Sequence, residues 1–494
     1  MSFTCNALHC FYLHHPCDAF YLQRLAVSFT SYAGTERIEA RTRLYCRASE
    51  LIVWNIYIRF ALYIFKILGD TYLLCLILKL NMEHTEKLYI KNFGPINEAV
   101  IDIARITILI GEQGAGKSTI AKLYALFTWL EKALMRHQFT SKSIMQYSRF
   151  RNKYCVYNNI DGYFKNDTEL IFEGMHYRFS YRKSSLEIEE IDMDDTSNEE
   201  YSISKVMYVP AERIILGCAE HPSNLKGLSE PMITFLDEYE RAKKVLKSGY
   251  SLPFGDVAFE YDALNDISKL HYNQFDVKLS ASASGYQSAL PLLLVSKNLS
   301  DMVYNSLHSD NDLTNKERMR LQNEVESIMN DETLSDEVKM ALMRSLSSRY
   351  SYSRFVNIVE EMELNLYPDS QKGMLYELIS YTNRSKDNRL MLTTHSPYIV
   401  NYLTLAIKAG VLAGQAEGNV SLMDRIGKIV PKESYVDIED WKIYEVSSGQ
   451  ARELGQYDGM PSDNNFLNML LNDSNSSFDE LLDIEEEIEQ WKEE

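Results

Sequence analysis

Three short stretches just before residue 111 have the apolar pattern of β-strands. They are Leu88–Phe93, Glu98–Ile103 and Arg105–Ile110. The last is apolar and rich in β-branched residues, which is typical of a strand buried in the centre of a sheet. Apolar residues then recur at helical spacing from Lys117 to about Leu134. The pattern predicts a strand, a short loop and a helix in succession.

The rest of the chain continues to alternate between strand-like and helix-like stretches. Val206–Pro210 predicts a strand before a helix at Met232–Leu246, and residues 300–353 are charged and free of glycine, which predicts a helical insert at about residues 288–353. The insert is too short for a long coiled-coil arm. Two later strands, each before a helix, are predicted at Phe355–Glu360 and Arg389–Thr394. Four short alternations predict an antiparallel meander attached to this α/β core, namely Lys153–Asn158, Glu169–Glu173, His176–Tyr181 and Ser185–Ile191.

A glycine-rich loop separates the predicted central strand from the first helix. Residues Gly111–Ser118 read Gly-Glu-Gln-Gly-Ala-Gly-Lys-Ser, the full phosphate-binding pattern. Backbone N–H groups would surround phosphate oxygens, Lys117 would reach the β- and γ-phosphates, and the Ser118 hydroxyl would bind Mg²⁺. A glycine-rich turn without a ligand is the alternative, and the strand–loop–helix context argues against it. The predicted ATP-binding residues are Gly111, Gly114, Ala115, Gly116, Lys117, Ser118 and Thr119.

Charge and cysteine content narrow the class of protein. The 494 residues carry a formal charge of −19, which argues against a surface covered in nucleic-acid contacts, although a local basic channel would be compatible with it. Only Cys155 and Cys218 occur after residue 81, so we expect a reducing, cytoplasmic environment without a disulfide framework.

The first 81 residues differ from the rest of the chain. They hold five of the seven cysteines and are net positive. Residues 51–80 are apolar, but Lys66 and Asp70 interrupt the best window for a membrane span, so we expect none. The spacing of Cys5, Cys10 and Cys17 does not match a zinc site. A regular alternation of apolar and polar residues, typical of strands, begins after Met82. We therefore interpret residues 1–81 as an atypical extension, and one explanation is that translation starts at Met82.

A pair of carboxylates ends the strand Phe355–Glu360. An acid at the end of a strand beside a phosphate-binding loop holds Mg²⁺, often through water, and the next acid can polarise the attacking water. We assign Glu360 to the metal and Glu361 to the general base. A surface pair of glutamates is the alternative, and the preceding glycine-rich loop makes it the weaker one.

Two more segments carry candidate chemistry. Ser282–Ser288 reads Ser-Ala-Ser-Gly-Tyr-Gln-Ser immediately before a helical run, where free N–H groups and a hydroxyl can hold a γ-phosphate, although the same residues could form an ordinary helix cap. The strand Arg389–Thr394 delivers His395 at its carboxyl end, where ligands bind in open α/β sheets.

In this order the segments resemble the ATP-binding-cassette (ABC) ATPases that lack transporter membrane domains. That group includes the RecF ATPases, the structural-maintenance-of-chromosomes (SMC) ATPases and the ATPase half of overcoming-lysogenisation-defect nucleases. The resemblance covers about residues 86–410. Glu360–Gln371 and Tyr208–Arg213 are also similar to stand-alone ATPases of bacterial phage-defence operons, such as those of the PARIS and Septu systems. Glu360 stands where many relatives have Asp, and Met362 where Pro is usual.

The resemblance implies a P-loop NTPase of the ABC-ATPase type at residues 82–410, followed by a C-terminal α/β segment at 411–494. It implies that Ser284, Gly285 and Gln287 form the signature, that Glu360 and Glu361 form the Walker B pair, and that His395 is the switch histidine. Two chains would pair head to tail as a homodimer or higher oligomer, with the signature of one chain closing over ATP on the other. Glu212 and Arg213 are candidates for intersubunit or nucleotide-sensing roles, with a buried ion pair as the alternative.

Two functional hypotheses follow. The first is a slow ATP-dependent switch or scaffold that controls a separate effector protein. The second is a DNA-repair or recombination ATPase of the RecF class that binds DNA directly, against which the acidic charge counts. The acidic C-terminal stretch from Phe478 predicts a helix whose Leu481, Leu482, Ile484 and Ile488 pack on one face. We interpret it as a solvated acidic helix, with a partner-binding tail as the alternative.

Overall fold

The centre of the fold is a large mixed β-sheet. The computed structural model describes residues 85–191, 203–246, 248–308, 315–329, 339 and 352–493. The strands of these residues are, in chain order, β1 (Lys87–Phe93), β2 (Ile96–Asp102), β3 (Ile106–Gly111), β4 (Phe164–Glu173), β5 (Tyr177–Arg182), β6 (Ser185–Glu190), β7 (Ser204–Val209), β8 (Ser248–Ser251), β9 (Ala258–Asp262), β10 (Ile267–His271), β11 (Asp276–Lys278), β12 (Arg354–Glu360), β13 (Arg389–Thr394), β14 (Trp441–Ser447), β15 (Gln450–Glu453), β16 (Gln456–Tyr457) and β17 (Met460–Pro461). The large sheet has 11 strands in the order β6-β5-β4-β1-β2-β15-β14-β3-β13-β12-β7.

Helices cover both faces of the parallel half of this sheet. The α-helices of the described residues are α1 (Lys117–Met135), α2 (Ser141–Met145), α3 (Ile214–Cys218), α4 (Glu230–Val245), α5 (Ser284–His308), α6 (Asn315–Met329), α7 (Pro368–Thr382), α8 (Pro397–Gln415), α9 (Val420–Gly427) and α10 (Phe466–Glu493). One buried cluster packs around α5, α7 and α8, and a second packs around α1 and the antiparallel strands. Within the described residues, no helix is both long enough and apolar enough to cross a membrane. The apolar window at residues 60–80 lies outside them.

Five neighbouring strands, β14, β3, β13, β12 and β7, run parallel. Their register places Glu360 opposite Thr393, and Thr394 opposite Ile110. Because the carboxyl ends of parallel strands meet at one edge of a sheet, Gly111, Glu360 and His395 lie at the same edge. The register thus gathers the segments that the sequence singled out.

The predicted meander exists, but its first member is not a strand. β4, β5 and β6 pair antiparallel and join β1, whereas Phe150–Cys155 forms a π-helix. The prediction of a strand at 153–158 is wrong because Phe150 and Tyr154, four residues apart, both turn inward. Phe150 stacks on Phe127 of α1, with ring centroids 5.6 Å apart, and Tyr154 packs against Trp129, at 5.9 Å. Residues at this spacing share a helical face.

Residues after 411 contribute strands to the large sheet. β14 pairs with the phosphate-loop strand β3, and Val446 stands opposite Gly111. A Cβ on Gly111 would lie 2.1 Å from the Val446 carbonyl oxygen, so only glycine fits there. Arg105, just before β3, forms an ion pair with Asp440, just before β14. The strand β14 therefore helps to position the glycine-rich loop that follows β3.

A second, four-stranded sheet has the order β11-β10-β9-β8 and lies between α4 and α5 in the chain. The sequence patterns did not predict it. Phe259 and Leu270 are fully buried in the same cluster as α5. Its strands have only three to five residues. Over so few residues, an alternation of apolar and polar positions cannot be distinguished from the sequence of a loop.

Candidate functional site

The glycine-rich loop connects β3 directly to α1. Gly114 (φ 78°) and Gly116 (φ 114°) both adopt the left-handed region that favours glycine. A Cβ on Gly116 would also lie 2.3 Å from Ile96 Cδ1. These glycines allow the chain to turn tightly and leave the first N–H groups of α1 directed at the loop, as anion binding requires.

Lys117 begins α1 and is buried in the loop. Its Nζ donates to the carbonyl oxygens of Gly111 and Glu112, both at 2.8 Å. Burial lowers the pKa of Lys117, while the carboxylates of Glu361, Glu363 and Glu360 act in the opposite direction. The ammonium therefore lies within the field of three carboxylates. Ser118 is exposed at the start of the helix and Thr119 is buried.

Glu360 ends β12 with its side chain buried. Within the described residues, the Glu360 Oε1 and the hydroxyl of the neighbouring Tyr208 on β7 form no hydrogen bond of good geometry, although the two side chains interact with each other. Burial and the Glu360 carboxylate raise the pKa of Tyr208 well above its usual value. Unpaired buried oxygens are costly unless a ligand satisfies them. Carboxylate and hydroxyl oxygens are the ligands that Mg²⁺ prefers, so Glu360 and Ser118 fit the predicted metal.

Glu361, the predicted base, has an unusual backbone. Its φ is 43°, in the left-handed region that costs a residue with a Cβ roughly 1 kcal/mol or more. Its N–H donates to the Thr393 carbonyl at 2.9 Å. The partly exposed side chain places Oε1 3.7 Å from His395 Nε2. The strained turn directs Glu361 out of the strand and towards the histidine.

A third carboxylate, Glu363, belongs to the site and was not predicted from the sequence. Its Oε1 accepts the backbone N–H of His395 at 2.7 Å. Its Oε2 is buried and, among the described residues, has no partner. The signal was present in the motif Glu360-Glu-Met-Glu, but a turn after a strand gives no periodicity that would show which acids face inward. Glu363 fixes the position of the His395 backbone.

Arg213 connects the carboxylate turn to the helix that begins at Ser284. Its Nη1 donates to the carbonyl of Glu360 at 2.6 Å, and its Nη2 to that of Glu361 at 2.7 Å. Its remaining bonds go to the carbonyls of Ser288 on α5 (3.2 Å) and Pro210 (3.2 Å). Burial lowers the pKa of Arg213 to about 10. Arg213 is fully buried, and among the described residues its hydrogen bonds go to carbonyl oxygens, which differs from the buried ion pair. Its intersubunit or nucleotide-sensing role stays a prediction.

Replacing Arg213 with methionine is expected to lower the free energy of unfolding by about 3 kcal/mol, because several buried carbonyls lose their donor. Hydrolysis should fall further than ATP affinity, since Arg213 holds the backbone of Glu361 and not the phosphate loop. Urea unfolding and the ratio of hydrolysis rate to ATP affinity would measure the two effects. The variant Arg213→Lys keeps the positive charge, but its single ammonium group cannot reach the several carbonyls that the guanidinium group bonds. Equal hydrolysis per bound ATP in all three proteins would contradict this role.

The predicted signature residues begin α5. Ser284 is its first residue, and a Cβ on Gly285 would lie 2.9 Å from the Asn365 carbonyl oxygen. Gln287 is buried, and its Nε2 lies within hydrogen-bond distance of the carbonyls of Leu279, Ser280 and Ser282, while its Oε1 accepts from the Cys218 thiol. The Gln287 amide thus shapes the turn before α5, and its place in the predicted signature stays a prediction. Gly285, the second residue of α5, lies beside residues 365 and 366.

The fold is that of an α/β P-loop ATPase. Residues 85–248 match the family model of the AAA ATPase domain. The match includes the glycine-rich loop and ends before Glu360, Glu361 and His395, so it covers the first part of the site only. A search of curated proteins finds no match.

Solved structures of several ATPases align over most of their own length. The SMC head domain from Thermotoga maritima has 11% sequence identity, covering 76% of this chain and 99% of that chain, with a TM-score of 0.30. The recombination mediator protein RecF has 10% identity, 75% and 98% coverage, and a TM-score of 0.26. A dimeric ATP-binding cassette in a post-hydrolysis state, bound to ADP and phosphate, has 11% identity, 74% and 97% coverage, and a TM-score of 0.22.

Proposed function

We propose that this chain binds ATP with Mg²⁺ and hydrolyses it at a site that two chains complete. The main support for this proposal is the arrangement at one edge of the sheet, where Lys117, Glu360 and Glu361 lie together. Glu361 Oε1 is 3.7 Å from His395 Nε2. Lys117 can bind phosphate, and the buried carboxylate of Glu360 can bind the metal. The partly exposed carboxylate of Glu361, which has a strained backbone, can hold the water.

Each residue has a distinct chemical role in this proposal. Lys117 and the N–H groups of the loop bind the β- and γ-phosphates, and Glu361 accepts a proton from the attacking water. His395 holds that carboxylate and contacts the γ-phosphate, with its backbone fixed by Glu363. Ser118 and Glu360 would hold Mg²⁺, which when bound neutralises developing charge on the phosphates.

The proposal includes a second chain because of the position at which α5 begins. The N-terminus of a helix binds anions through its free N–H groups, and Ser284 and Gly285 present this end beside Asn365. Among the described contacts, Gly285 lies beside residues 365–366, Gln287 bonds Cys218 and Leu279, and none joins Ser284 or Gly285 to the phosphate-binding loop of the same chain. In this proposal Ser284 and Gly285 of one chain close over the ATP held by Lys117 of another, in the head-to-tail pairing that the resemblance to the ABC ATPases implies.

A site shared by two chains predicts that ATPase activity per chain depends on protein concentration. At concentrations where the chains are mostly single, the activity per chain should rise in proportion to concentration, and then level off as pairs dominate. Steady-state hydrolysis measured over a hundredfold dilution series would show this. A constant activity per chain, together with a single-chain mass of 57.2 kDa by light scattering in the presence of ATP, would contradict the shared site.

The finer proposal is that the ATP-driven pairing controls a separate effector protein. The formal charge of −19 supports a protein partner over DNA, since DNA binding gains its affinity from exposed Lys and Arg. Purification of the native complex should yield a second polypeptide in a fixed ratio to this chain. Stimulation of hydrolysis by duplex DNA that weakens steeply with salt would instead support the repair ATPase.

A further inference from the structure

Among the contacts of the described residues, those that anchor the last helix, α10 (Phe466–Glu493), are at its beginning. Leu467 is buried in the core, and the Phe466 N–H donates to the Glu445 carboxylate at 2.7 Å. Every residue from Asn472 to Ile488 is exposed. These residues span about 25 Å of helix. Helices in proteins gain most of their stability from the packing of an amphipathic face, so a partner surface would stabilise this one.

The exposed part of α10 carries an apolar stripe with coiled-coil spacing. Leu481, Ile484, Ile488 and Trp491 follow one another at steps of three, four and three residues, which are the a and d positions of a heptad. Their exposed fractions are 62%, 45%, 44% and 73%. α10 leaves the core after its first turns, so this face does not pack on the described residues, in agreement with the interpretation of a solvated acidic helix. We call these four residues the seam.

The charges beside the first three residues of the seam are all of one sign. With Leu481 at position a, the flanking e and g positions are Glu480, Glu485 and Glu487, and Lys492 follows only after Trp491. Residues at e and g pair across a coiled coil and decide which partner is accepted. A partner helix should therefore carry Lys or Arg opposite the three glutamates.

The same charges disfavour the other occupants of an apolar helix face. Two copies of α10 would bring Glu against Glu at e and g in either orientation, since parallel coils pair e with g and antiparallel coils pair like positions. Anionic membrane surfaces attract basic segments and would repel this acidic one. Nucleic acid is disfavoured for the same reason.

We propose that the seam of α10 docks an amphipathic helix of a separate protein, with apolar residues at a and d and basic residues at e and g. This partner would be the effector of the proposed function, so the inference rests on that function for its biological meaning. Docking at the seam does not require hydrolysis. The two ideas therefore fail separately.

Two synthetic helical peptides test the seam on the full-length chain. Both have Ile and Leu at a and d; one has Lys at every e and g position, and the other has Glu there. Measured by fluorescence anisotropy, the Lys peptide should bind at least roughly tenfold more tightly than the Glu peptide, as three favourable charge pairs predict. Equal binding of the two, binding of neither, or self-association of the chain through α10 would overturn the proposal.

Charge reversal supplies the matched control. In the triple variant Glu480→Lys, Glu485→Lys, Glu487→Lys the preference should reverse towards the Glu peptide. The variant Asp479→Lys, Asp483→Lys, Glu486→Lys makes the same change in net charge on the outer face of the helix and should keep the original preference. ATP hydrolysis should match the wild type in both, which separates this test from the catalytic one. Reversal in both variants would mean that net charge alone attracts the peptide, and the seam would be rejected.

Discussion

Replacing Lys117 with alanine is expected to weaken ATP binding about a hundredfold or more. The ammonium supplies charge-assisted hydrogen bonds to the phosphates, and losing two of them costs roughly 3 kcal/mol. The fold should survive, because among the described contacts Lys117 donates to two carbonyls of its own loop, and the Glu112 carbonyl is only partly buried. Isothermal titration with ATP and Mg²⁺ would measure the change.

Lys122 provides the control for this substitution. It lies on the same helix, one turn further along, with its side chain half-buried. Lys122→Ala removes the same charge without touching the loop, so its ATP affinity should stay near that of the wild type. If Lys117→Ala also keeps wild-type affinity, residues 111–118 do not form the nucleotide site.

Replacing Glu361 with glutamine is expected to slow hydrolysis by roughly a hundred- to ten-thousandfold while ATP still binds. The amide cannot accept the proton of the attacking water, whereas Lys117 and the loop are unchanged. ATP-bound pairs should therefore accumulate. A phosphate-release assay and light scattering with ATP would follow the rate and the pairing.

The matched control is Glu363→Gln, the same chemical change two residues away. A glutamine there keeps an oxygen for the His395 N–H, which Glu363 accepts at 2.7 Å. It should retain much more activity than Glu361→Gln. Wild-type hydrolysis by Glu361→Gln, or equal losses in the two variants, would remove Glu361 as the base.

The sequence predicted the parts of the site that depend on local pattern. A run of β-branched residues before a glycine-rich loop identifies β3 and α1 because strand, turn and helix each have a local signature. The same holds for β12 and β13, whose carboxyl ends deliver Glu360 and His395. The parallel register then brings these ends together without any further information.

The parts that the sequence did not predict depend on distant contacts. β14 lies beside β3 although more than three hundred residues separate them in the chain, and the close approach of Val446 adds a second reason for glycine at position 111. The sequence singled out Arg213 but not its four carbonyl partners, which only the fold brings together. The π-helix at Phe150–Cys155 shows tertiary packing of aromatic rings prevailing over an apparent alternation.

The central claim is that a second chain completes the ATP site, and mixing two inactive variants tests it directly. Lys117→Ala removes phosphate binding, and Ser284→Arg places a bulky cation at the start of α5. If the site is shared, each mixed pair contains one site with both Lys117 and Ser284 intact. An equal mixture should then recover roughly a quarter of wild-type hydrolysis, because half the pairs are mixed and each has one working site of two. No recovery, in a mixture in which differently tagged copies of the two variants are shown to co-purify as mixed pairs, would contradict the shared site.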